Sequence, residues 1–210
     1  MDPCPAPASG RIVFCALETY SKIGGLQNFN RRLIRTLAER ALERKEPPPR
    51  VLLSRDQAAA IPPIGGIDII GIDARGRFLS SAAWAAVTQA NLFVLGHINL
   101  LPLAARVWCL RPSLPILLFV HGDEVWNDPR HRSKDWYETW FLRAVTKIVS
   151  VSAFTAGTMG REFNVPLTKF GLFPNAVDPL KTSPNPSIRQ PATILTVARL
   201  GSGDRENSYG

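Results

Sequence analysis

The sequence predicts an α/β domain, a doubly wound and mainly parallel sheet with helices on both faces. Two observations carry that expectation. Short apolar runs alternate along the chain with segments whose apolar residues recur every three or four positions, so strands are separated by helices. The first run, Arg11 to Ala16, is apolar almost throughout instead of alternating with polar residues, as a strand buried on both faces requires. Apolar residues make up 45% of the 210 residues, enough for a sizeable core.

After that first strand, Leu26, Phe29, Leu33, Ile34, Leu37, Ala38 and Leu42 define one apolar stripe, predicting a helix from about Gly25 to Glu43. Pro47, Pro48 and Pro49 stop it, and Val51 to Leu53 is the next strand. Further strands are expected at Asp68 to Ile72, Leu92 to Leu95, Ile116 to Val120 and Lys147 to Val151, giving a sheet of six or seven strands. Helices are expected near Ser80 to Ala90, Leu101 to Leu110, Trp136 to Ala144 and Ala153 to Phe163. Ser152 with Thr155 marks an N-cap, where a hydroxyl accepts from a free backbone N–H. Pro179 to Pro191 carries four prolines and few apolar residues, the composition of a linker. A fresh apolar strand, Thr193 to Leu200, follows it.

Composition excludes several classes of function. The first ten residues lack the basic-then-apolar build of a signal peptide and are expected to be disordered. The apolar stretch around Pro115 to Val120 falls well short of the ~20 residues that span a bilayer. Cys4, Cys15 and Cys109 have no paired spacing, which points to reduced thiols in a cytoplasmic protein and not to a disulfide framework or a metal site. The net charge of +8 favours an anionic partner, either a phosphorylated substrate or an anionic membrane, and a well-solvated surface accounts for it equally well. Without a zinc finger, RNA-binding aromatic signature or basic heptad region, nucleic acid is not expected.

The candidate chemistry lies at strand ends. Gly24 and Gly25 precede the first helix, where glycine lets backbone approach a ligand and a helix N-terminus attracts phosphate. They do not form the GxGxxG fingerprint, and the end of the second strand, Val51 to Arg55, offers no carboxylate for a ribose. His121 and Gly122 follow the strand Ile116 to Val120 directly, with Glu124 and Trp126 just after, at the carboxyl end where open parallel sheets bind ligands. His97 holds the same kind of position after Leu95, and hydrogen bonding to loop backbone is its alternative role. Glu18 reads as an exposed loop carboxylate, and His131 as solvated.

These residues resemble the retaining glycosyltransferases of the GT-B fold, in the family called family 4. Five motifs carry the resemblance in order: Gly24-Gly25; His121-Gly122-x-Glu124 with Trp126; VSVSAFT; Pro174-Asn175-x-Val177-Asp178; and Ala198-Arg199-Leu200. The resemblance spans Arg11 to Leu200 and implies the N-terminal, Rossmann-like half of a GT-B fold. It implies transfer of a sugar, with retention, from a nucleoside-diphosphate sugar to a hydroxyl on a carbohydrate or lipid-linked acceptor. Gly24 and Gly25 would approach the donor diphosphate, His121 would contact the transferred sugar, and Arg199 would pair with the diphosphate. Glu124 and His97 would line the donor side. No metal or other cofactor is implied, and cytoplasmic work at the inner face of a membrane, in cell-surface polysaccharide or glycolipid synthesis, is.

The expected organisation is a tail at 1–10, an acceptor-side domain at 11–178, a linker at 179–192 and a remnant of a donor-binding domain at 193–210. The family's donor-binding lysine and Glu-x7-Glu region are not found in the residues after Arg199. The chain alone is therefore expected neither to bind nucleotide sugars tightly nor to transfer sugar. Alternatives are a noncatalytic, acceptor-binding half and, more remotely, a nucleotide-sugar 2-epimerase of the same architecture.

Overall fold

The computed structural model describes residues 10–176. Seven strands form one parallel sheet: β1 (Arg11–Leu17), β2 (Arg50–Ser54), β3 (Asp68–Ile72), β4 (Ala90–Leu95), β5 (Ile116–Val120), β6 (Lys147–Ser150) and β7 (Phe170–Leu172). Their order is β3-β2-β1-β4-β5-β6-β7, so the chain winds outward from β1 in one direction, then returns to β4 and winds in the other. The reversal opens a crevice at the carboxyl ends of β1 and β4, where doubly wound sheets hold their ligands.

Side chains alternate across the sheet with the period of two that extended backbone dictates. Val13 and Cys15 of β1, Leu52 of β2, Phe93 and Leu95 of β4, and Ile116 of β5 face one layer of helices. Their neighbours Phe14, Val51, Leu53, Val94 and Phe119 face the other side. Both sets are buried, which is why the strands read as unbroken apolar runs.

Helix α1 (Gly25–Arg44) covers the second face, burying Phe29, Ile34, Ala38 and Ala41. It ends at Lys45, whose left-handed backbone (φ 53°) turns its N–H back onto the carbonyls of Ala41 and Leu42. Helices α2 (Arg75–Gln89), α3 (Leu101–Leu110), α4 (Glu138–Phe141) and α5 (Ala153–Glu162) belong to the first face. Ser152 caps α5, its Oγ accepting from the N–H of Thr155 at 3.1 Å.

Three elements differ from the sequence reading. Helix α2 begins at Arg75, five residues before Ser80, because Phe78 is buried in the core and extends the helix back through Gly76. The segment Trp136 to Ala144 yields only the single turn α4, with a 3-10 turn at Leu142–Ala144. Its tryptophans point to solvent and give no inward stripe. β7 is an extra strand, pairing Phe170 and Leu172 with Ile148 and Ser150. The expected linker at 179–192 and the strand at 193–200 lie outside the described residues.

The amino ends of the strands are tied together by charge. Arg11 Nη2 meets Asp68 Oδ2 at 2.6 Å, while Arg11 and Arg50 both donate to Gln89 Oε1, at 3.1 and 2.9 Å. This clamp holds β1, β2, β3 and the end of α2 at the edge opposite the crevice, so the carboxyl-end loops are free for other work.

Candidate functional site

The loop from β1 to α1 is held by a residue the sequence reading passed over. Asp56, two residues beyond β2, is fully buried and accepts hydrogen bonds from the backbone N–H groups of Thr19, Tyr20 and Ser21 at 2.5 to 2.8 Å. Ser21 Oγ donates a fourth at 2.8 Å. A carboxylate stands just past the end of β2 after all, but its oxygens are committed to this loop and not to a ribose. From the other side, Arg31 donates to the carbonyls of Thr19 (2.8 Å) and Lys22 (2.6 Å). Glu18, read from the sequence as an exposed loop carboxylate, is partly buried and paired with Lys22 at 2.7 Å and Arg55 at 3.6 Å.

That scaffold delivers Gly24 and Gly25 to the start of α1. Gly24 has extended backbone (φ 174°), so neither glycine is there for a left-handed turn. A Cβ added at Gly25 would meet open space, and one at Gly24 only the flexible end of Gln27. The first turn of α1 has no side-chain cap and no acidic residue. Its N–H groups keep the partial positive charge that suits an anion.

His121 stands at the end of β5, and Gly96, at the end of β4, fixes it. The ring donates from Nε2 to the Gly96 carbonyl at 3.1 Å, since a carbonyl can only accept. Gly96 is in turn anchored by its N–H on the carbonyl of Cys15 in β1, at 2.8 Å. With Nε2 carrying the hydrogen, Nδ1 is the acceptor of the neutral ring. Burial pushes the His121 pKa below its ordinary value, outweighing the opposing pull of Glu124 and of the Gly96 carbonyl. The ring is thus neutral at pH 7, a hydrogen-bond acceptor and not a cation. Glu124 is buried, and its Oε1 accepts the backbone N–H of His121, closing the His-Gly-x-Glu turn. Arg132 donates to the Glu124 carbonyl at 2.9 Å and pairs with the buried Glu138, locking that turn from behind.

His97 takes the backbone-bonding role. Its Nδ1 accepts from the N–H of Asn99 at 3.1 Å, capping a 3-10 turn. Burial, with smaller contributions from His121 and Arg132, pushes its pKa down to about 4. His131 is exposed and lies 3.9 Å from an oxygen of Asp123. Arg199 lies outside the described residues.

An aromatic cluster joins the motifs. Phe29, one turn into α1 from Gly25, meets the His121 ring edge-on at 4.8 Å between centroids. Phe173, beside Pro174 and Asn175, packs edge-on against Phe29 and Phe119, each at 6.1 Å. Trp126 contacts Phe154 at 5.4 Å and its indole N–H reaches Thr155 Oγ1 at 3.4 Å, which ties in the VSVSAFT segment. Segments spread over 150 residues of sequence thus share one edge of the sheet. Phe29 and Gly96 carried no motif; a folded path was needed to place them.

The fold and this edge define an α/β protein of the GT-B glycosyltransferase architecture. The sequence pattern of Glycosyltransferase Family 4 matches residues 23–180, and the chain belongs to that family. Among solved structures, the apo form of a lipopolysaccharide outer core galactosyltransferase, WaaB, is similar, with a TM-score of 0.56 and 12% sequence identity. The match covers 86% of this chain and 50% of that one, so the chain spans half the length of that relative. No curated protein sequence matches the chain at a significant level.

Proposed function

We propose that this chain forms the acceptor-side half of a retaining glycosyltransferase. The reaction moves a sugar from a nucleoside diphosphate to a hydroxyl of a carbohydrate or lipid-linked acceptor, in cell-surface polysaccharide or glycolipid synthesis on the cytoplasmic side. One observation carries the reading: Phe29 joins the first turns of α1 to His121, so an anion-ready helix start and a neutral imidazole share one edge. In this proposal the diphosphate approaches the backbone of Gly24 and Gly25, with open space over Gly25 and only the flexible end of Gln27 over Gly24. His121 accepts a hydrogen bond from a hydroxyl of the transferred sugar through Nδ1, and Glu124 acts on the sugar side by fixing that turn. His97 shapes the donor side through the 3-10 turn it caps. Arg199 pairs with the diphosphate as negative charge grows on the departing nucleotide, and no metal ion takes part.

Labelled UDP- and GDP-sugars offered with lipid-linked and free-glycan acceptors test this reading. A glycosylated product of retained anomeric configuration is the expected result for a protein holding both halves of the fold. Product formation that is indifferent to His121→Ala would sink the role given to that residue. Binding of acceptor without transfer in every such protein would favour the noncatalytic reading.

A further inference from the structure

We infer that the outer surface of α2, α3 and α4 is a docking face for an anionic membrane. Four of the chain's five tryptophans lie on or beside these helices, and all four face solvent: Trp84 is 68% exposed, Trp108 48%, Trp136 88% and Trp140 66%. α3 packs against α2 on one side and α4 on the other, so the tryptophans belong to one continuous layer. Leu110 is exposed beside them, and a mostly apolar furrow of about 530 Å³ runs between α2 and α3 past Leu79, Ala83 and Leu110. A soluble surface seldom leaves so much indole in water without a partner.

The charge on the two long helices of this layer has one sign, with Asp73 and Asp135 exposed only at its margins. Arg75, Arg77, Arg106 and Arg143 are exposed on it, Arg143 lying over the Trp140 ring at 4.7 Å. α2 and α3 contain no acidic residue, and the only one in 136–144, Glu138, is buried against Arg132. Across the sheet, α1 intersperses exposed Glu39 and Glu43 with Arg35 and Arg44, as an ordinary solvated helix does. Tryptophan rings settle at the headgroup level of a bilayer, and arginines beside them meet anionic lipid. A second copy of this face would set arginine against arginine, so self-association is the poorer occupant. No helix among the described residues is long and apolar enough to cross a bilayer, and this contact is a flat one. The surface stands on its own residues and does not depend on the chain transferring sugar.

Flotation of the full chain with vesicles tests the inference. The protein should float with phosphatidylcholine vesicles containing phosphatidylglycerol and stay below with phosphatidylcholine alone. Trp84→Ala, Trp108→Ala and Trp140→Ala together should weaken partitioning at least tenfold, with the cooperative melting transition retained because about half or more of each residue is exposed. Arg77→Glu with Arg106→Glu should do the same, at about fivefold or more for each charge removed. Arg35→Glu with Arg44→Glu, an equal charge change on α1, should leave most of the binding in place. Equal loss from the α1 pair would mean that net charge alone drives binding, and the face would be wrongly assigned. A dimer seen without vesicles and abolished by the tryptophan substitutions would also overturn the membrane reading.

Discussion

His121 hangs from Gly96: the ring nitrogen Nε2 donates to a carbonyl that itself belongs to a residue fixed on β1 through Cys15. The imidazole is therefore set by three adjacent strands, β1, β4 and β5, and not by its own loop. Its remaining lone pair, on Nδ1, is what the ring has to offer a ligand.

Replacing His121 with alanine should lower turnover of a two-domain enzyme by roughly tenfold to a hundredfold, the value of a hydrogen bond of about 1.5–3 kcal/mol to bound sugar. The melting temperature should fall by no more than about 2–4 °C, since one partly buried hydrogen bond is lost and no core cavity opens. Steady-state kinetics beside calorimetry checks both. An unchanged turnover would remove the ring from the mechanism.

Asp56→Ala should be far more damaging to the fold. It strands the N–H groups of Thr19, Tyr20 and Ser21 in a partly buried loop, at a cost of about 1–3 kcal/mol. Thermal denaturation should show a drop of several degrees, with Asp56→Asn intermediate because an amide keeps one acceptor oxygen. A melting curve matching that of the natural sequence would show that solvent replaces the carboxylate freely.

Gly71 leads to the same loop from the other direction. A Cβ there would sit 2.2 Å from the backbone oxygen of Asp56, so Gly71→Ala must push that segment away. The expected cost is about 1–3 kcal/mol. Combined with Asp56→Ala, the two losses should add to less than their sum, because both act on one segment. Strict additivity in a double-mutant cycle would separate them.

Stability should fall as the solution is acidified from about pH 6.5 to about pH 4. In the folded chain the His97 pKa lies near 4, against an ordinary 6.5. Between those values the unfolded chain takes up a proton that the folded one refuses, so the difference works against folding as pH drops and is absent above 6.5. The shift corresponds to about 3 kcal/mol, with His121 contributing in the same direction. Denaturant titrations across this range measure it, and His97→Gln should flatten the slope.

Much of this architecture was legible from the sequence, for identifiable reasons. β3 and β5 were placed to the residue because each apolar run breaks at its ends, β5 being buried on both faces and β3 lying half-buried at the sheet edge. α4 was overextended because Trp136 and Trp140 register as apolar in a sequence while the folded chain turns them to water. β7 escaped because three residues, one of them Gly71's counterpart in smallness, Gly171, make too short a run. At the site, His121 was visible from its place at a strand end. Asp56 was not: in sequence it is one polar residue in a turn, and its four donors come from a loop more than thirty residues earlier. Phe29 looked like any core position on a helix stripe, and only the fold shows its edge against an imidazole.

The strand order also sets a schedule for synthesis. β1 lies at the centre of the sheet, yet its partner on one side, β4, is encoded about eighty residues downstream, with Arg11 opposite Ala90. At about 5–20 residues per second, a ribosome takes several seconds or more to supply it. Throughout that interval one edge of this mostly apolar strand is unpaired, open to whatever strand or chaperone arrives first. The seam at β1 and β4 that gathers the site thus stays open on a nascent chain until β4 emerges, and the window in which misassembly competes is built into the topology.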